Sequence, residues 1–243
     1  TQRNKESYEK ALKQSLQSAI MTHLLFGSSS NTDMPIIEHP LHKQRIRQAA
    51  TDCAEASRTK KLSINFGDSL TDLARPYFKN SLDVIMSVSG SYANHMEQMA
   101  VETRHFLTDH DVEYVFVGTL GGNPMLVYRD YQQVVSSSKK CLDTVRSLYP
   151  RQKIIIYTLP PVFNLNATNH AYLFTMDMLD WAAKDKRACV IDMHRVLGSG
   201  PLNLFPKSQW SSDGVHLTPA GAVKLSSKFN QAKTSSDLLV SLN

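Results

Sequence analysis

The hydrophobic pattern divides the chain near residue 61. Before that point, Tyr8, Leu12, Leu16, Ala19, Ile20, His23 and Leu24 recur at helical spacing, an amphipathic stripe over residues 5–26. The run Gly27-Ser28-Ser29-Ser30-Asn31 breaks that helix, and a segment bounded by Pro35 and Pro40 follows. Residues 41–58 return to helical composition, with Ile46, Ala49, Ala50 and Cys53 on one side. Residues 1–60 thus read as a helical extension, expected to pack on a main domain over residues 61–243.

From residue 61 short apolar runs alternate with longer amphipathic ones. The expected strands are Leu62–Phe66, Asp83–Val88, Val112–Val117, Lys153–Thr158 and Ala188–Asp192. Val84-Ile85-Met86-Ser87-Val88, Tyr114-Val115-Phe116-Val117 and Ile154-Ile155-Ile156-Tyr157 are nearly continuous apolar stretches rich in β-branched residues. Strands of that kind are buried on both faces, as in a parallel sheet. The intervening segments suit helices over 70–79, 92–107, 125–148 and 169–184, with a last helix over 218–231. Repeated β–α alternation implies right-handed crossovers and a doubly wound α/β sheet of about five strands.

In such a sheet, ligands bind beyond the carboxyl ends of the strands. Gly67, Asp68 and Ser69 follow the first strand, Ser89, Gly90 and Ser91 the second, and Gly118 to Asn123 the third. Beyond the fifth, Trp210-Ser211-Ser212-Asp213-Gly214-Val215-His216 leads into the last helix. A serine nucleophile needs a base within hydrogen-bond reach and a carboxylate that fixes the imidazole tautomer. Ser69 is the expected nucleophile, at a strand-to-helix turn. His216 is the expected base, and Asp213 the acid that orients it from three residues earlier. An oxyanion hole is expected from the backbone N–H groups of Ser69 and Gly90 and the side-chain amide of Asn123. The bland alternatives are a serine that caps a helix, with Asp68 a mere turn residue, and a histidine solvated in a surface turn.

Four blocks, Gly67-Asp68-Ser69-Leu70, Gly90, Gly121-Gly122-Asn123 and Asp213-Gly214-Val215-His216, occur in the order of the SGNH, or GDSL-type, hydrolases. Residues 61–231 resemble that family. The resemblance implies a flavodoxin-like three-layer α/β/α sandwich with strand order 2-1-3-4-5, and cleavage of esters or thioesters through an acyl-enzyme without metal or other cofactor. It implies the same roles for Ser69, Gly90, Asn123, Asp213 and His216. The third block departs from the family, because Pro124 stands where an Asp usually follows Asn123. Proline removes an N–H and stiffens the loop that carries the Asn123 amide.

Composition narrows the function class. With 42% hydrophobic and 20% charged residues the chain is of globular type, and no apolar run approaches a membrane span. Residues 1–61 hold ten Lys/Arg against six Asp/Glu, so most of the +5 net charge sits there. No recognition motif accompanies it, and no nucleic-acid partner is expected. Cys53, Cys141 and Cys189 lie far apart, which argues against a disulfide framework or a zinc site. His23, His39 and His42 are not read as a metal cluster, nor Asp192 and His194 as a second catalytic pair. Asp192 is expected to anchor the sheet end and His194 to sit in a variable loop. Met176, Met178 and Leu179 are expected to serve helix packing. Residue 1 is Thr, so the natural N-terminus is expected to be trimmed, leaving cytoplasmic and exported locations both open.

The expected function is hydrolysis of acyl esters, short-chain and foremost acetyl, on a small-molecule, glycan or lipid substrate. Lysophospholipid or thioester cleavage, acyl transfer to a glycan, and a non-catalytic binding module are the alternatives. Peripheral membrane contact through the 5–26 stripe is the lesser reading of that segment.

Overall fold

The computed structural model describes residues 40–126, 130–162, 165–199, 205–211 and 213–240. The stripe over residues 5–26 lies outside the described residues. The five expected strands form as β1 (Leu62–Gly67), β2 (Val84–Ser87), β3 (Val112–Gly118), β4 (Lys153–Tyr157) and β5 (Ala188–Ile191). Two short strands, β6 (Gly198–Ser199) and β7 (Phe205–Pro206), pair antiparallel to each other. A further strand, β8 (Leu239–Val240), adds itself to the main sheet beside β5. The main sheet is therefore six-stranded and parallel, in the order β2-β1-β3-β4-β5-β8.

The eight α-helices among the described residues are α1 (Pro40–Glu55), α2 (Ser69–Asp72), α3 (Ala93–Thr103), α4 (Gly122–Leu126), α5 (Tyr131–Leu148), α6 (Leu165–Ala182), α7 (Met193–Leu197) and α8 (Pro219–Thr234). Side chains alternate across the sheet, as the pleat requires. Val115, Val117, Ile154 and Ile156 face a core shared with Ala49 of α1, Met96 of α3, Cys141 of α5 and Phe174 of α6. Phe116, Ile155 and Tyr157 face the opposite core, around Phe229 of α8. Phe229 packs its ring 4.7 Å from Phe116, 5.0 Å from Tyr157 and 5.4 Å from Phe78. Two helical layers thus enclose the sheet, the three-layer arrangement expected.

Three expected helices are shorter than the pattern suggests; the one over 92–107 forms α3 and then a 3-10 turn at Arg104–Leu107. The 70–79 segment forms α2 and then a 3-10 turn at Arg75–Tyr77, because Pro76 has no N–H to donate to the Asp72 carbonyl and its ring crowds that oxygen. The 125–148 segment is two helices. Asp130 starts the second by accepting a hydrogen bond from the Gln133 N–H at 3.0 Å. On α6, Met178 is buried and Leu179 packs against the core, whereas Met176 is about half exposed. All three cysteines are buried free thiols.

Candidate active site

β1 delivers the Gly67-Asp68-Ser69-Leu70 block. At its end the Asp68 carboxylate accepts a hydrogen bond from Leu70 N–H at 3.0 Å and so caps α2. Ser69 is the first residue of that helix. The cap is the aspartate rather than the serine, which leaves the Ser69 hydroxyl for another partner.

That partner is His216. Its Nε2 lies 3.1 Å from Ser69 Oγ, across 147 residues of sequence. Its Nδ1 lies 2.7 Å from Asp213 Oδ2. A carboxylate only accepts, so Nδ1 carries the proton and Nε2 presents its lone pair to the serine. Asp213 Oδ1 accepts from the backbone N–H groups of Val215 (2.9 Å) and His216 (2.7 Å), which fixes the acid against the segment that carries the imidazole. Burial alone would raise the Asp213 pKa. The hydrogen bonds and positive charge of His216 outweigh it and hold the value at about 2. The segment is closed at its base, where Thr218 N–H donates to Trp210 O and the Thr218 hydroxyl to Gln209 O.

Gly90 and Asn123 occupy the loops after β2 and β3. Gly90 has φ of 83°, a left-handed conformation that suits glycine. Asn123 Nδ2 donates to the carbonyl of Ser91 at 2.9 Å and so ties the two loops together. Pro124 does not disturb this. It falls in the first turn of α4, where an N–H has no helical partner to lose.

Several solved structures share the fold that carries these residues. A GDSL-like lipase from Bacteroides thetaiotaomicron superposes with a TM-score of 0.62 at 15% identity, over 77% of this chain and 96% of that one. The lipase Lip_vut3 from goat rumen metagenome gives 0.56 at 16%, over 72% and 98%. The C-terminal catalytic domain of Streptococcus pneumoniae peptidoglycan O-acetyltransferase A gives 0.52 at 15%, over 71% and 92%. The chain has the SGNH hydrolase fold. No family model and no curated protein matches the sequence itself.

On this SGNH fold, Ser69 opens onto a pocket whose wall includes Asp68, Asn123, Met125, Leu159, Val162 and Ala171. Gly90 is not part of that wall among the described residues. The space open to a water-sized sphere is about 30 Å³. Asp68 is 3% exposed, and burial pushes its carboxyl up to about 6 against the Leu70 N–H and the nearby His216. Thr119, also on the wall, has φ of 48°, a conformation rare for a β-branched residue.

Near Ser69, at the end of β1, lies a buried polar network that the sequence pattern did not reveal. Asn65 Nδ2 donates to Tyr157 Oη at 2.6 Å, and Ser87 Oγ donates to Asn65 Oδ1 at 2.6 Å. The Thr71 and Ser87 hydroxyls lie 2.6 Å apart. An asparagine in the middle of Leu62-Ser63-Ile64-Asn65-Phe66 was the available signal, since a polar group buried on a central strand needs a partner.

His194 and Asp192 stand apart from this site. Asp192 caps α7 by accepting from Arg195 N–H at 3.2 Å. His194 lies in that helix rather than in a variable loop, buried beside the Tyr172 ring at 6.0 Å, and burial lowers its pKa. Among the described residues no group of His, Cys, Asp and Glu is arranged to hold a metal ion.

Proposed function

We propose that the chain is a serine esterase that cleaves short acyl esters through an acyl-enzyme. The observation that carries this is the hydrogen-bonded series Asp213–His216–Ser69, with contacts of 2.7 and 3.1 Å, opening onto a small apolar pocket. Ser69 Oγ attacks the ester carbonyl while His216 Nε2 takes its proton. Asp213 holds the tautomer and stabilises the imidazolium. The developing oxyanion is met by the N–H groups of Ser69 and Gly90 and the amide of Asn123. His216 returns the proton to the leaving alcohol. It then activates water to release the acid.

The pocket supports the short-chain reading. The space beside Ser69 is about 30 Å³ among the described residues, and its wall is mainly apolar, with Leu70, Met125, Leu159, Val162 and Ala171. Each buried methylene adds about 0.8 kcal/mol only while there is room for it. Beyond that, forcing carbons into a filled pocket costs about 1–3 kcal/mol. Acetyl and propionyl groups suit a small apolar pocket of this kind, and acetylated small molecules or glycans are the substrate class it favours.

The test is turnover of p-nitrophenyl esters from acetate to octanoate. The wild type turns over acetate, with kcat/KM for octanoate at least about tenfold lower, and Ser69→Ala abolishes turnover. Equal turnover by wild type and Ser69→Ala refutes the nucleophile. A preference for octanoate refutes the short-chain reading.

A further inference from the structure

The Gly90 loop is held from below by one carboxylate. Asp72, at the end of α2, has a side chain only 4% exposed. Its Oδ2 accepts from both the N–H and the hydroxyl of Ser89, at 3.0 and 2.8 Å. Its Oδ1 accepts from Arg75 Nε at 3.1 Å and from Arg45 Nε at 2.8 Å. Arg75 also donates to the carbonyl of Ser87 at 3.0 Å. Ser89 immediately precedes Gly90, and Asp72 lies one helical turn from Ser69. A single charged group therefore joins the nucleophile helix to the loop that carries the Gly90 N–H.

Arg45 comes from α1, outside the β–α alternation that begins at residue 61. It lies one turn before Ala49 and two before Cys53, both buried in the core, so the face of α1 that docks on the domain also delivers the guanidinium. The Arg45 side chain is 24% exposed. A surface pair of that kind usually contributes little to stability. Here, however, the acceptor is a buried carboxylate that also binds the loop, and charge-assisted bonds to such a group are short and directional.

We propose that Asp72 and Arg45 are positioning residues for the oxyanion hole: Asp72 sets the Gly90 loop through Ser89, and Arg45 makes that setting depend on helix α1. This rests on the serine-esterase reading of the site. Without Arg45, Asp72 keeps Arg75 alone, its Oδ1 is held from one side, and Ser89 follows the carboxylate. The Gly90 N–H then meets the developing oxyanion less well. The ester carbonyl of the ground state, which needs that donor less, binds much as before.

The experiment measures kcat and KM separately on p-nitrophenyl acetate, together with thermal unfolding, for the full chain and for Arg45→Ala, Arg45→Lys and Asp72→Asn. Removing one oxyanion donor outright costs about 10²–10³ in kcat, which bounds the effect of displacing one. The expected result is a kcat about tenfold or more lower in Asp72→Asn and about threefold to tenfold lower in Arg45→Ala, with KM within about twofold. Arg45→Lys, which restores a charged donor, recovers most of the loss. Lys60→Ala, which breaks the exposed pair with Asp83, leaves kcat unchanged. If Asp72→Asn does not fold, Arg45→Ala decides. A lower unfolding temperature with unchanged kcat in folded Arg45→Ala overturns the positioning role, while Ser69-dependent turnover by the wild type leaves the esterase reading standing. A wild type without Ser69-dependent turnover overturns both.

Discussion

Replacing Asp213 with Asn tests the electrostatic half of the site with almost no change of shape. The asparagine carbonyl can still accept from Val215 and His216 N–H, as Oδ1 does now at 2.9 and 2.7 Å. Its NH₂ then faces His216 Nδ1, 2.7 Å away, where the carboxylate oxygen was. Two donors cannot share that bond, so Nδ1 gives up its proton and Nε2 gains it. A protonated Nε2 can no longer accept from Ser69 Oγ at 3.1 Å. The expected loss is about 10⁴ in kcat, equivalent to about 5.5 kcal/mol of transition-state stabilisation. The effect on folding is far smaller. The depressed Asp213 pKa of about 2, against about 3.9 unfolded, contributes only about 2–3 kcal/mol at neutral pH. Part of that survives in the retained backbone bonds. The assay is kcat for p-nitrophenyl acetate at neutral pH, alongside a urea unfolding curve. A folded Asp213→Asn protein that keeps more than a tenth of wild-type kcat would refute the tautomer argument.

Other consequences follow from single groups. Asp68 titrates near 6 when folded and near 3.9 when unfolded, so the native state binds more protons between those values and stability falls as pH rises through them. Asp68→Asn should remove about 3 kcal/mol of that decline, seen as a flatter plot of unfolding free energy between pH 4 and pH 7; an unchanged slope counts against a buried, hard-to-ionise Asp68. Gly118→Ala would set a Cβ 1.8 Å from Tyr157 Cζ in the packed interior. It should lower stability by about 1–3 kcal/mol or more, read from the urea midpoint, and a midpoint equal to wild type would show that Tyr157 can move aside. Asp213 contributes its stability above about pH 4 and loses it as pH falls through about 2, so Asp213→Asn should unfold less steeply in strong acid than the wild type.

The sheet was legible because its interior strands are continuous apolar runs, as Val115-Phe116-Val117 and Ile154-Ile155-Ile156 are, and their side chains alternate between two cores that are both buried. β8 was not legible. Two paired residues, Leu239 and Val240, carry no periodicity, and only the neighbouring edge of β5 makes them a strand. The end of α2 at Asp72 and the start of α5 after Asp130 depend on a proline clash and on a side-chain cap, local effects that a hydrophobic pattern does not weigh. At the site, short motifs at strand ends pointed to Ser69, Gly90, Asn123, Asp213 and His216. The pairings that support them did not show. Asn65 with Tyr157, and Asp72 with Arg45 and Ser89, join residues 92, 27 and 17 positions apart. Such contacts follow from how the sheet brings loops together, and no spacing rule records them. Asp68 illustrates the same limit, since the Gly67-Asp68-Ser69-Leu70 motif gives it no role of its own, yet it caps α2 and lines the pocket.

The central claim is that Ser69 is a nucleophile activated by His216. Active-site labelling of the folded chain with a fluorophosphonate tests it most directly, because only an activated serine displaces the fluoride. Mass spectrometry should find one phosphonyl group per chain, located on Ser69, absent in Ser69→Ala and slowed by orders of magnitude in Asp213→Asn. A folded wild-type chain that takes up no label, or takes it up equally after Ser69→Ala, contradicts the account.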